Sequence, residues 1–265
     1  MLSNTNCGWV DGPEELFDPL QFAVDLEMTD KSSDNGVRDV NSLKNDDRVF
    51  ISKGLITKAN GSSYVELGLT KITCSIYGPH ETTTDESYSK CLLDTSIKFS
   101  PFSRPKRIDP LRITYENSNE MDDTEEAELC SMLEECLLPC ILLHKYPKSQ
   151  IDIIIDIIQE DNEANLLSAI VLSTTVALID ACIELYDTVV AKSLKIDSNL
   201  LTVCYMPNLA QVSSLFFDGE LTTNELDKYV DECIKQCHIL HKAICKVIID
   251  DLKNKDQESK QTKIA

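Results

Sequence analysis

The sequence predicts an α+β fold in which helices pack on mixed β-sheets, and three segments carry this prediction. Residues 49–79 alternate between apolar and polar positions and are rich in β-branched side chains, as in consecutive hairpin strands. Residues 166–185 are apolar on almost every side, which predicts a buried helix. Residues 222–252 open with a capping box, Thr222 with Glu225, and predict a final helix. Strand-rich segments alternate with helices, as in one α+β domain.

Between these segments, further elements can be placed by pattern. Turns at Asn60-Gly61 and Gly68 separate the first strands, and a strand pair is predicted over residues 91–102. After the polar connector 116–123, Thr124 is the predicted cap of a helix with acidic residues in its first turn. The later strands are predicted at residues 151–158, 188–194, 201–206 and 212–217.

The chain divides into three predicted regions. Residues 1–47 are polar and lack sustained periodicity, which predicts a flexible N-terminal extension. Residues 48–252 form the predicted domain. Residues 253–265 predict a disordered C-terminal tail.

Composition excludes several classes of function. The chain has 45 acidic and 25 basic residues, a formal charge of −20, which argues against autonomous nucleic-acid binding. Its compact basic cluster consists of Arg104, Lys106 and Arg107. Most of the eleven cysteines have apolar neighbours, and the first thirty residues do not read as a secretory signal. We therefore expect buried, reduced thiols in a nuclear or cytosolic protein, and no membrane span.

Five sequence blocks, taken in order, resemble the RNase PH family over roughly residues 50 to 250. The blocks are GSSYVELGLTKITCSIYGP, KFSPFSRPKR, YPKSQIDIIIDIIQED, ALIDACIELYD and YMPNLAQVSSLFFDGELT. The resemblance implies the βαβα fold of this family, also described as like domain 2 of ribosomal protein S5. Within the family, the chain is most similar to a non-catalytic ring subunit of the eukaryotic RNA exosome.

This resemblance implies partners and a cellular setting. It implies a six-membered ring of RNase PH-like subunits around an RNA channel, covered by cap subunits with S1 and KH-type domains. RNA would pass through the channel to a 3′→5′ exonuclease on another chain, in rRNA maturation and RNA turnover. The expected location is the nucleus and nucleolus, and also the cytoplasm.

The family resemblance also implies that the phosphate chemistry is lost. Active members carry a glycine-rich turn with threonine and arginine at the start of the central helix. In this sequence the arginine falls on Leu167 and the glycines fall on Ala164 and Asn165. The aspartate-rich loop of active members is reduced to one acid, Asp197, and residues 125–136 contain no basic residue. We therefore expect no catalytic residue, no metal and no cofactor.

Two other functions stay open from the sequence. The first is a phosphorolytic 3′→5′ exoribonuclease whose phosphate site is completed by a partner subunit. The second is an unrelated protein-interaction module. Arg104, Lys106 and Arg107 have two interpretations of equal weight, namely contact with RNA in the channel or neutralisation of nearby acids.

Two smaller clusters have structural interpretations. Four residues of metal-ligating types, three cysteines and one histidine, repeat every four positions on the last helix: Cys233, Cys237, His241 and Cys245. They span about 18 Å of helix, too far for one zinc ion, so a packed face of small residues is expected. The family resemblance places Asp180 and Asp187 as structural residues of the turn between a helix and a strand.

Overall fold

The computed structural model describes residues 49–81, 90–104, 118–161, 163–196 and 199–262. The predicted extension over residues 1–47 lies outside these ranges, as do Lys106, Arg107 and Asp197. Within the described residues the chain folds into two β-sheets and three α-helices, which confirms the predicted α+β class. None of the described helices is both long and apolar enough to cross a membrane.

The first sheet has five strands. They are β1 (Val49–Lys53), β2 (Gly61–Leu67), β3 (Thr70–Glu81), β4 (Leu92–Phe99) and β5 (Ser149–Gln159), in the order β1-β2-β3-β5-β4. Neighbours are antiparallel except β4 and β5, which run parallel with Ile97 opposite Ile155. On β5, alternate isoleucines from Ile151 to Ile157 are fully buried and form one wall of the core.

The predicted strand pair over residues 91–102 is wrong, because the segment forms the single strand β4. After Phe99 the chain turns, and the Ser103 amide donates a hydrogen bond to the Ser100 carbonyl at 2.8 Å. The partner of β4 is β5, which follows it by about fifty residues, so local pattern could not reveal the pairing.

The second sheet has three antiparallel strands in sequence order. They are β6 (Val190–Ile196), β7 (Asn199–Met206) and β8 (Gln211–Asp218). All three predicted strands are confirmed, with ends shifted by one or two residues. β7 is the central strand, and its residues 201–206 are all buried.

Helix α2 (Glu163–Asp180) lies between the two sheets. It packs on β2 and β3 on one side and on β6 on the other, so every residue from Asn165 to Leu178 is buried. Contact with both sheets explains why α2 is apolar on almost every side. The helix ends five residues earlier than predicted, because Cys182 adopts φ +56° and the Ile183 amide donates back to the Leu178 carbonyl.

Helix α1 (Ser118–Leu137) packs on β4 and contacts β8. It begins six residues before the predicted cap, Thr124. Two of its glutamates hold it against the strand: Glu126 accepts the Phe99 amide at 3.0 Å, and Glu134 accepts the Thr95 hydroxyl at 2.7 Å. A short 3₁₀ helix, Leu143–Lys145, leads from α1 toward β5.

Helix α3 (Thr223–Thr262) packs on β6 and β7. The predicted start is confirmed: the Thr222 hydroxyl donates to the Glu225 carboxylate at 2.7 Å, and the Leu226 amide bonds the Thr222 carbonyl. The helix continues to Thr262, beyond the predicted end at Leu252. No proline or glycine occurs in residues 253–262 to stop it.

The expectation of buried cysteines is confirmed for most of those in the described residues, and their reduced state stays a prediction. Those that are buried and free are Cys74, Cys91, Cys136, Cys140, Cys204, Cys233 and Cys237. Cys182, in the turn after α2, is the exposed exception among the described residues.

Candidate functional site

A cleft opens at the C-terminal ends of the parallel strands β4 and β5. Such strand ends, next to the start of a helix, are where open α/β sheets commonly place a ligand. Here the start of α2, one face of α1 and the strands β7 and β8 complete the walls. The cleft has a volume of about 750 Å³ and is large enough for a small ligand or a chain segment.

The walls of the cleft are apolar and its charged groups are mainly acidic. Leucine, methionine and phenylalanine side chains come from β4, α1, α2, β7 and β8, and they include Leu167 of α2 and Phe216 of β8. Four carboxylates line it: Glu125, Glu128, Glu160 and Asp218. Among the described lining residues, Arg104 is the one cation. This excess of carboxylates over cations is unfavourable for binding a phosphate.

Arg104 is engaged by two of these carboxylates. Its Nη2 atom lies 2.6 Å from Glu125 Oε2, and its Nε atom lies 2.9 Å from Glu160 Oε2. The guanidinium also lies over the ring of Phe99, with Cζ 4.1 Å from the ring centroid. The Glu160 amide in turn donates to the Ser103 carbonyl, which fixes the loop next to Arg104.

These contacts hold the charge of Arg104 firmly in place. Burial alone would lower the pKa of Arg104, but the hydrogen bonds to Glu125 and Glu160 outweigh burial and raise it. The guanidinium is therefore shared by two glutamates and offsets one of their two negative charges. This is one of the two roles that the sequence left open for Arg104, and its predicted contact with RNA stays a prediction.

The start of α2 lacks the groups that would hold phosphate. Leu167, at the position where the family resemblance expects arginine, is buried and lines the cleft. Asn165, at an expected glycine position, is also buried, and its carbonyl accepts the Ser168 hydroxyl at 2.9 Å. The positive end of the helix dipole favours anions, but the carboxylates around the cleft oppose them.

Asp187 and Asp180 have structural partners, as the family resemblance implied. The Asp187 carboxylate accepts backbone amides from Thr188, Asn208 and Leu209 at 2.7–3.0 Å. Asp180 Oδ2 accepts the Ser62 amide at 3.2 Å and thereby joins the end of α2 to β2.

The repeated cysteine and histidine positions of α3 do not converge on a point. Cys233 and Cys237 are buried against the second sheet, whereas Cys245 Sγ lies 3.5 Å from His241 Nε2. The other ring nitrogen of His241 lies 3.1 Å from the Thr188 hydroxyl. Among the described residues, no three His, Cys, Asp or Glu side chains come close enough together to hold a metal ion.

Comparison with known proteins decides the family. The sequence model of the 3′ exoribonuclease family, domain 1, known as RNase PH, matches residues 48–184, which is more than half of the chain. The chain belongs to the RNase PH family. The predicted resemblance is thus confirmed.

Relatives with similar sequences are exosome components. The exosome component mtr3 of Schizosaccharomyces pombe is 28% identical over 218 residues, covering 75% of this chain and 80% of the relative. Human MTR3 is 28% identical over 243 residues, covering 80% and 82%. Rrp41 of Cenarchaeum symbiosum is 29% identical over 240 residues, covering 82% and 92%. The relatives named MTR3 confirm the predicted resemblance to a eukaryotic exosome ring subunit, known as mRNA transport regulator three.

Solved structures support the fold. Rice Rrp46 aligns with a TM-score of 0.61 at 16% identity, covering 76% of this chain and 94% of that chain. The Archaeoglobus fulgidus exosome with RNA bound to the active site aligns with a TM-score of 0.59 at 19% identity, covering 74% and 87%.

Sequence reasoning noted Leu167 and Asn165 at the start of α2 but missed how the acids are arranged. It noted the acidic start of α1 and did not connect it with Glu160 in the loop before α2. Their convergence on Arg104 depends on the parallel pairing of β4 with β5, which brings the two strand ends together. The sequence signal that could have suggested this pairing is the presence of a basic residue, Arg104, in a chain whose neighbouring segments are acidic.

Proposed function

We propose that this RNase PH family member is a non-catalytic structural subunit of the RNA exosome core ring. The observation that carries the proposal is the cleft at the ends of β4 and β5. Four carboxylates line it, Leu167 lies at the start of α2, and the arginine present is paired with Glu125 and Glu160. A phosphate ion would meet net negative charge and no free cation among these lining residues.

The proposed partners are other RNase PH-like subunits. The chain would occupy one position of a six-membered ring, support cap subunits with S1 and KH-type domains, and help to enclose the RNA channel. The relatives named as exosome components support this assembly. The formal charge of −20 also favours protein partners over independent binding of RNA.

In the cell, the proposed role is support of 3′→5′ RNA processing and degradation, including rRNA maturation. The corresponding location is the nucleus and nucleolus, and also the cytoplasm. Arg104, Lys106 and Arg107 are the proposed contacts with RNA in the channel. Such contacts would engage phosphates without reading the base sequence. For Arg104, the contact would require the guanidinium to exchange Glu125 or Glu160 for a phosphate of the RNA.

Affinity purification of the tagged chain from its own cells, followed by mass spectrometry, tests the assembly. We expect co-purification of several RNase PH-like proteins with S1 and KH-type proteins. Recovery of the chain alone would contradict the proposal. The same preparation separates the alternative function, because a site completed by a partner would release nucleoside diphosphates only when phosphate is present.

A further inference from the structure

Two buried cysteines from different elements touch between α1 and the second sheet. Cys136 lies at the end of α1 and Cys204 lies on β7, and their Sγ atoms are 3.3 Å apart. The Ser214 hydroxyl of β8 lies 2.9 Å from Cys136 Sγ. Both cysteine side chains have no exposed surface. Their separation of 68 positions in the sequence makes the contact a tertiary one.

This pair lies directly beneath the floor of the cleft. Thr202 and Phe216 line the cleft and face each other across β7 and β8. The next pair of residues on the same face of the sheet is Cys204 with Ser214. On α1, Met132 lines the cleft and Cys136 follows one helical turn later. A peroxide molecule would have to reach the two sulfurs from the cleft through a local opening between these residues.

The surroundings polarise the two thiols in opposite directions. The hydrogen bond between the two sulfurs lowers the pKa of Cys136, and the Ser214 hydroxyl lowers it further, although burial opposes both. The same contact with Cys136 raises the pKa of Cys204, and burial adds to this. Cys136 is thus the thiol that ionises more readily of the two, and it is the attacking sulfur of the reaction below.

We propose that Cys136 and Cys204 form an oxidisable dithiol, which hydrogen peroxide converts into a disulfide joining α1 to β7. The Cys136 thiol loses its proton as its sulfur attacks one peroxide oxygen, the O–O bond breaks, and the departing hydroxide takes that Cys136 proton to become water. This leaves a sulfenic acid on Cys136. The Cys204 sulfur then attacks that sulfur, the S–O bond breaks, and the hydroxyl group leaves with the Cys204 proton as a second water.

The disulfide would fix the floor of the cleft. It would tie the end of α1 to the central strand β7, next to Met132 and Thr202. Because it closes a long loop of chain, it should also resist unfolding. The proposal is independent of the proposed function, since the pair lies behind the cleft and takes no part in phosphate chemistry.

The test uses the full-length chain, fully reduced and then treated with hydrogen peroxide under native conditions. Thiols that are still free after the treatment are alkylated, including those that become accessible on unfolding. The protein is then digested without reductant, and linked peptides are sequenced by mass spectrometry. We expect a link between Cys136 and Cys204, with the loss of two hydrogen atoms. Non-reducing electrophoresis should show a monomer, and the midpoint of urea unfolding should rise until reductant is added.

Variants test the assignment of roles. Ser214→Ala removes the hydroxyl beside Cys136 and should slow oxidation about tenfold while the same link still forms, because a hydrogen bond to a charged group is lost. Cys136→Ala and Cys204→Ala should each abolish the link. Cys130→Ser, on the same helix, is the matched control and should oxidise at the wild-type rate.

Two results would overturn the proposal. One is oxidation of the native wild-type chain only at Cys182 or Cys130, with Cys136 and Cys204 still alkylatable after unfolding. The other is a link from Cys136 to Cys140 or Cys237 instead of Cys204. Both results come from the wild-type protein, so poor folding of a variant could not produce either of them.

Discussion

The Asp187 carboxylate organises the segment that leads from α2 into β6. It is buried and accepts hydrogen bonds from the Thr188, Asn208 and Leu209 amides and from the Asn208 side chain. Burial alone would raise the pKa of Asp187, but these four donors outweigh it and lower the pKa below its ordinary value. The carboxylate therefore holds the loop before β8 against the start of β6.

Replacement of this carboxylate should destabilise the fold in a pH-dependent way. We expect Asp187→Asn to lower the free energy of unfolding by about 2 kcal/mol at pH 7, because hydrogen bonds to a charged acceptor are lost. Since the folded pKa lies below the unfolded value of about 4, the stabilisation is present above that value and is lost as pH falls through the folded pKa.

Urea unfolding of wild type and variant at pH 7 and at acid pH measures the effect. The difference between the two proteins should shrink at acid pH. Asp161→Asn, at an exposed position, is the control and should change stability little. A difference that grows as the pH falls would contradict the assignment.

The two carboxylates that pair with Arg104 differ greatly in exposure. Their contributions to the free energy of unfolding should therefore differ as well. The Glu160 side chain is 9% exposed, whereas the Glu125 side chain is 53% exposed. A double-mutant cycle should therefore give a coupling free energy of about 1–2 kcal/mol between Arg104 and Glu160, and below about 0.5 kcal/mol between Arg104 and Glu125. Equal couplings from urea unfolding would show that solvent screening does not decide the strength of these pairs.

The Arg104→Lys variant is an informative control for these coupling measurements. Arg104→Lys retains the charge but cannot donate from a planar fork to both carboxylates while lying over Phe99. Its free energy of unfolding should therefore lie between those of Arg104→Ala and the wild-type protein, as measured by urea unfolding.

At the level of elements, β2 begins against the end of α2 with no room for a side chain. A Cβ atom on Gly61 would overlap the Ala181 amide nitrogen and the Ala177 carbonyl oxygen. Gly61→Ala should therefore lower the free energy of unfolding by about 3 kcal/mol, since backbone atoms cannot yield as a flexible side chain can. Chemical denaturation measures it, with Thr57→Ala in the preceding exposed loop as control. Stability close to wild type would mean that α2 shifts easily on the sheet.

The elements also show which features of the fold can be predicted from a single sequence. The hairpin strands, the buried helix and the capped last helix each carry a local pattern, and all were predicted. Boundaries failed where tertiary contacts decide: Ile183 and Leu185 continue the apolar run beyond α2, yet they pack as a turn and a bridge. β4 gained its partner from a distant strand, and no local period could indicate that pairing.

For the whole molecule, the proposed non-catalytic role within the RNase PH family depends on one cleft. The fold retains the wall of strand ends and the helix start that a ligand site would use. The charges around that wall have the wrong sign for phosphate, and the chain as a whole is strongly acidic. The sequence predicted the missing groups, whereas the pairing of Arg104 with two glutamates required the structure.

The most direct test is a phosphorolysis assay on the ring reconstituted with this chain and its co-purified partners. Labelled RNA is incubated with and without inorganic phosphate, and release of nucleoside diphosphates is compared between wild type and a variant of this chain carrying Arg104→Ala and Asp197→Asn. We predict no phosphate-dependent release that responds to these substitutions in the assembled ring. Phosphate-dependent release that the variant ring loses, while its assembly stays intact, would contradict the account.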